Sequence, residues 1–186
     1  MYLTQGTRPD IAHAVSALSQ RSSCFKKIHW KCAKRVLRYL KGTINHGLCY
    51  KKSGESIVGY MDANWGNCTQ DRRSYTGLVF LLANGAVSWE SRKQRTMALS
   101  STKAEYTALS DAAREAIYLS GFLIEIDLSS LSKVTLHNDN QGAAELAANP
   151  VFHSRSKHID IKCHFIREAL SNHRFNLIQS TRRQKK

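Results

Sequence analysis

Gly59-Tyr60-Met61-Asp62-Ala63-Asn64-Trp65 is the stretch on which the reading of this chain turns. It closes a strand expected over residues 56–61 and sets Asp62 at that strand's carboxyl end. Working outward, residues 75–83 and 86–90 read as a hairpin around Asn84-Gly85, a strong turn dipeptide. Residues 95–99 read as a further antiparallel strand. Residues 101–126 read as a long helix capped by Ser100 or Ser101, with Ala104, Ala108, Ala112, Ile117 and Leu123 as apolar positions. A strand over 134–137, a helix over 141–148 ended by Asn149-Pro150, a helix over 158–172 and a strand over 175–179 follow. With residues 95–99 left aside as an optional extra strand, the order β-β-β-α-β-α-α-β gives an α/β (α+β mixed-sheet) layer fold.

The upstream third is different in character. Thr7-Arg8-Pro9-Asp10 looks like a helix start, followed by Ile11, Ala14, Val15 and Leu18 at apolar spacing. A second helix is expected over residues 29–41, with Gly42 as its C-cap. Trp30, Ala33, Leu37 and Leu40 form its apolar stripe, and Lys31, Lys34, Arg35, Arg38 and Lys41 crowd another face. Residues 1–52 carry 11 Lys or Arg against one acid, whereas residues 53–180 carry 13 of each sign. A basic excess confined to one segment attracts polyanions, and nucleic acid is the commonest large one. A solvated, solubilising face is the bland reading of the same charges.

Composition excludes several classes. With 42% apolar residues a packed core is expected. The longest wholly apolar run covers residues 78–83, too short to span a bilayer, so no membrane partner is expected. The first residues show no basic region followed by an apolar stretch, so a signal peptide is not expected. Five cysteines without a C-x-x-C pair suggest reduced thiols and an intracellular protein, whether cytoplasmic or nuclear.

Asp62 and Asp139 each end an expected strand, and Glu105 sits near the start of the long helix. A sheet that sets the first and fourth strands side by side brings the two aspartates together, and the nearby helix adds the glutamate. Carboxylates so crowded repel one another unless a cation intervenes. Oxygen ligands suit magnesium, and two such ions serve phosphodiester cleavage. Taken one at a time, each acid reads as an ordinary solvated or capping residue.

These residues also carry a resemblance. The matching motifs are the Gly59 to Trp65 stretch, Asp71-Arg72-Arg73-Ser74-Tyr75-Thr76-Gly77, Val87-Ser88-Trp89, residues 98–106, Asp139-Asn140-Gln141, and Asn149-Pro150-Val151-Phe152-His153-Ser154-Arg155-Ser156-Lys157-His158-Ile159-Asp160-Ile161. In order and content they resemble the ribonuclease H domain of copia-type retrotransposon Pol polyproteins. Residues 7–11 and 29–43 are similar to the end of the preceding reverse transcriptase segment, so the resemblance spans residues 1–179. It implies a ribonuclease H-like fold, a five-stranded mixed sheet flanked by helices with an N-terminal helical appendage. It divides the chain into residues 1–50, a helical remnant of the reverse transcriptase thumb or connection, residues 55–180, the ribonuclease H-like domain, and residues 181–186, a basic tail. It implies endonucleolytic cleavage of the RNA strand of RNA–DNA hybrids with two Mg2+ or Mn2+ ions. Asp62, Glu105 and Asp139 are then the catalytic metal ligands, and the reverse transcriptase region of the same polyprotein is a further partner.

The sequence departs from that pattern twice. Lys103 stands where the family has a second glutamate. Two helical residues turn through about 200°, so Lys103 is expected to point away from the metal side. The family also carries a fourth carboxylate on a helix after the last strand, and here no Asp or Glu follows Glu168. Impaired cleavage is therefore expected. A non-catalytic nucleic-acid-binding module or a decayed retrotransposon fragment is the alternative. His153, His158 and Asp160 are expected to serve helix entry and loop bonding, and Trp65 and Trp89 to lie in the core rather than to stack on bases.

Overall fold

The computed structural model describes residues 2–68, 70–148 and 157–179. Three helices come first: α1 (Tyr2–Gly6), α2 (Ala12–Ser19) and α3 (Lys27–Gly42). Then follow β1 (Val58–Asn64), β2 (Tyr75–Leu82), β3 (Gly85–Lys93), α4 (Ser101–Glu125), β4 (Thr135–Asn138), α5 (Gln141–Ala148), α6 (Lys157–Ser171) and β5 (Asn176–Gln179). The strands form one sheet in the order β3-β2-β1-β4-β5. β1 runs antiparallel to β2 and parallel to β4, and β4 runs parallel to β5. This is the mixed, five-stranded α/β sheet expected from the sequence. No helix among the described residues is long and apolar enough to cross a membrane.

The core lies between the sheet and α4. Ala104, Ala108, Ala112 and Ala116 recur every fourth residue and are all fully buried. Four methyl groups in a row let the helix axis lie close to the sheet, where Met61, Phe80 and Leu136 fill the remaining space. β1 contributes Gly59 at the closest approach: a Cβ there would stand 2.5 Å from Leu136 Cδ2 and 2.6 Å from Phe80 Cε1. Alternate residues of β3 face opposite sides. Ser88 and Arg92 bond Glu115 and Asp111 of α4. Trp89 and Ser91 face the N-terminal helices, where Trp89 Nε1 donates to the Thr4 carbonyl at 2.6 Å and Ser91 Oγ pairs with His13 Nδ1 at 3.2 Å. The sheet is thus held between α4 and the N-terminal segment.

Tertiary contacts override several sequence expectations. Residues 95–99 are not a strand. β3 ends at Lys93, and Gln94 N–H makes a last bond to Ser74 O. The Gln94 side chain then turns inward to donate to Thr76 Oγ1 and Ala104 O, both at 3.0 Å, which pulls the chain off the sheet edge. The hairpin turns at Ala83 and Asn84, both at positive φ (53° and 63°), rather than at Asn84-Gly85. Gly85 already belongs to β3, and a side chain there would collide with the Tyr50 ring. β1 continues through Asn64, so Asp62 lies within the strand and not at its last residue.

The apolar stripe of α3 is also rotated. Trp30 and Leu37 are 60% and 62% exposed, while His29, Ala33, Val36 and Leu40 form the partly covered face. The cause lies at the helix end. Buried Arg8 donates to Asp10 and to both the carbonyl and the hydroxyl of Thr43, and Tyr39 OH donates to Asp10 Oδ2 at 2.8 Å. Tyr39, itself exposed, is thereby held toward Asp10 on one flank of that face, and a residue nine positions earlier lies about 180° around the helix, which leaves Trp30 on the opposite, open flank. The same contact with Arg8 holds the Asp10 carboxyl down at about 2.

Replacing Gly59 tests the close packing of β1. Gly59→Ala should destabilise the chain by about 1–3 kcal/mol through overpacking against Leu136 and Phe80. Urea unfolding should show an earlier midpoint at similar slope, and an unchanged midpoint would contradict the packing described.

Candidate metal centre

Parallel pairing of β1 with β4 sets Tyr60 opposite His137, so two residues further Asp62 comes level with Asp139, just past the end of β4. Glu105, the fifth residue of α4, enters from the helix. One oxygen of each carboxylate lies within 4.8 Å of the others. The three sequence-singled acids are therefore brought together, with Asp62 exposed, Asp139 half-buried and Glu105 7% exposed.

The burial of Glu105 has an electrostatic consequence. Removal from water and then the negative charge of Asp62 push its carboxyl up to about 8, against an ordinary 4.5, although the Ala63 N–H donates to it. Glu105 Oε2 is buried without a hydrogen-bond partner. A carboxyl oxygen left unsatisfied between two other acids is the feature a cation would complete. The donor set is all oxygen, which fits a hard divalent ion better than zinc or copper.

Neighbouring residues fix the three acids in place. Ser100 Oγ accepts from Lys103 N–H and starts α4 two turns or less before Glu105. Buried Gln94 ties Ala104, the residue before Glu105, to β2. Asn138, fully buried, accepts from Asn140 N–H at 2.8 Å, and Asn140 Oδ1 caps α5 by accepting from Ala143 N–H at 2.9 Å. The turn that carries Asp139 is thus bonded on both sides. Gln94 and Asn138 carry no sequence signal for this role: one sits among Lys93 and Arg95, the other at a strand end, and only their burial reveals them. A cleft of about 710 Å³ on the sheet face away from α4 runs from Pro9 and His13 past Tyr75 and Trp89 to Asp62.

The remaining residues singled out from sequence lie elsewhere. Lys31, Lys34, Arg35, Arg38 and Lys41 are all exposed on α3. Trp89 is partly buried, but under the N-terminal helices on the sheet face away from the core rather than in it, and Trp65 is 53% exposed just beyond β1. The expectation of a core position fails for Trp65 because β1 runs on to Asn64 and leaves it in the turn beyond the sheet. His153 and the basic tail 181–186 lie outside the described residues, as do the side chains of His158 and Asp160.

No protein-family model matches the chain. Over 179 residues, 96% of the chain, it is 40% identical to the retrovirus-related Pol polyprotein from transposon TNT 1-94 of Nicotiana tabacum, of which it spans 13%. Over 120 residues, 64% of the chain, it is 52% identical to the secreted RxLR effector protein 161 of Plasmopara viticola, covering 84% of that protein. Among solved structures, a ribonuclease H1 isolated from compost by a metagenomic approach matches 70% of the chain and 87% of its own length, with a TM-score of 0.52 at 15% identity. That last likeness is one of fold.

The shift at Glu105 sets a pH dependence. Its folded value of about 8 lies above the ordinary 4.5, so the stability it permits is full below pH 4.5 and is lost as pH rises toward 8. In chelator, denaturant unfolding should show stability falling by roughly 2–4 kcal/mol across that window. Glu105→Gln should flatten the profile. A wild-type chain equally stable at both ends would contradict the crowding of the three acids.

Proposed function

Because the chain belongs to the copia-type retrotransposon Pol family and has the ribonuclease H-like fold, we propose that Asp62, Glu105 and Asp139 hold divalent metal, Mg2+ or Mn2+, for endonucleolytic cleavage of the RNA strand of RNA–DNA hybrids. The observation that carries this reading is the convergence of the three carboxylates within 4.8 Å, one of them buried and unsatisfied. The chain spans only 13% of the polyprotein to which it is similar, so the activity proposed is that of this segment.

Each acid has a distinct task. Asp62 is exposed and faces the side from which a phosphodiester can approach. Asp139 is set level with it by the parallel strands and held by the Asn138 and Asn140 bonds. Glu105 is oriented by the Ala63 N–H and must give up its proton before it can act as a ligand near neutral pH. When bound, a divalent ion offsets the crowded negative charge, makes a water more acidic and stabilises the departing oxygen.

Residues 1–50 extend the reading as the end of the reverse transcriptase segment, seated on the sheet through Thr4, His13 and Gln20. The exposed cations of α3 would add sequence-independent attraction for the phosphates of the same duplex. That face is separate from the carboxylate cluster, so it also supports the second reading, nucleic-acid binding without cleavage.

Two measurements separate these readings. A labelled RNA–DNA hybrid should be cleaved only with magnesium or manganese, and Asp62→Asn should lower the rate more than about a hundredfold. Binding without cleavage under any metal leaves only the second reading. In salt titrations, charge reversal at Lys34, Arg35 and Arg38 should reduce the slope of log affinity against log salt by about 2–3 units. An unchanged slope means that this face is merely solvated.

A further inference from the structure

Trp65 is a large apolar side chain that the fold leaves in water beside the carboxylates. It follows Asp62 by three residues, which keeps their backbones within about 10 Å of each other. It follows Ala63, whose N–H holds Glu105, by two. The ring is 53% exposed yet tethered, because Nε1 donates to the Ala98 carbonyl at 2.9 Å. That bond secures the segment leading into α4, on which Met97 and Leu99 are 56% and 74% exposed. Arg95 on the same segment is exposed as well. Three apolar side chains and a cation therefore stand in solvent on the two segments that deliver Asp62 and Glu105. An aromatic held in solvent three residues past one acid, and bonded to an exposed apolar segment that leads to another, is a surface made for a partner rather than for water.

We infer that Trp65, with Met97 and Leu99, is a nucleic-acid contact that receives the sugar and base of a nucleotide adjoining the scissile phosphate. This rests on the reading of the carboxylate cluster as a phosphodiester-cleaving site. Given that reading, the substrate strand must pass over the carboxylates. A reach of about 10 Å corresponds to one to three nucleotides of stacked strand at about 3.4 Å each. An aromatic face accepts any base, so the contact adds affinity without sequence preference. Arg95 supplies the charge complementary to the strand's phosphates.

Two variants test the contact. Trp65→Phe keeps an aromatic face and loses the bond to Ala98, whereas Trp65→Ala loses both. The difference in emission between wild type and Trp65→Phe isolates the Trp65 signal, and it should be quenched saturably as RNA–DNA hybrid is added. KM for the hybrid should rise on the order of tenfold in Trp65→Ala with kcat little changed, and less than about threefold in Trp65→Phe. If no cleavage can be measured, equilibrium affinity for the hybrid replaces KM. If Trp65→Ala does not fold, the emission and the Phe variant decide. A Trp65 emission indifferent to hybrid, or a Phe variant as impaired as the Ala variant, would overturn the contact and leave Trp65 as a brace for residues 94–100. Unchanged KM and emission in a chain that cleaves would remove this inference alone. Quenching in a chain with no metal-dependent cleavage would keep the contact and remove the enzymatic reading.

Discussion

Asp62, Glu105 and Asp139 repel one another, and the close packing around them is what opposes that repulsion. The parallel ladder between β1 and β4 fixes the two aspartates level with each other. The alanine row of α4 lets the helix lie against Met61, Phe80 and Leu136, which brings Glu105 to the same point. Gly59 leaves the space beside β1 that the Leu136 and Phe80 side chains fill. Gln94 and the Asn138–Asn140 pair then pin the first turn of α4 and the turn after β4. A protein without use for three crowded acids would gain stability by replacing any one of them. Here a buried carboxyl is held up at about 8 by burial and by its neighbour Asp62. Such a perturbed group beside charged partners marks a functional site more often than a structural one.

Much of this was readable from residue order. Asp62 and Asp139 stand out because each closes an expected strand, and Glu105 because Ser100 caps the helix that begins just before it. Register did the rest, since the parallel pairing of Tyr60 with His137 sets Asp62 level with Asp139. The supports were not readable. Gln94 looks like a surface residue among cations, and its burial depends on contacts with Thr76 and Ala104, distant in sequence. Residues 95–99 leave the sheet because the inward turn of Gln94 ends β3, and those contacts do not show in the local pattern. The hairpin was anticipated one residue late, because Gly85 is small for the sake of Tyr50 and not for the turn itself.

The N-terminal helices show where periodicity alone fails. The spacing of Trp30, Leu37 and Leu40 describes an apolar face correctly but not which part of it is covered. The rotation of α3 is set by Arg8, Asp10, Tyr39 and Thr43, a polar knot joining residues 35 apart in sequence. Trp65 follows the same lesson at the sheet's end. Its hydrophobicity suggests burial, while three further residues of strand and a bond to Ala98 leave it at the surface just past β1.

The most direct test of the carboxylate cluster is calorimetric titration of magnesium or manganese into the chain near neutral pH, in two buffers of different ionisation enthalpy. If the three acids form a metal centre, binding saturates, releases protons as Glu105 ionises, and is lost in Asp139→Asn. Absence of saturable binding, or binding that persists unchanged in Asp139→Asn, would contradict it.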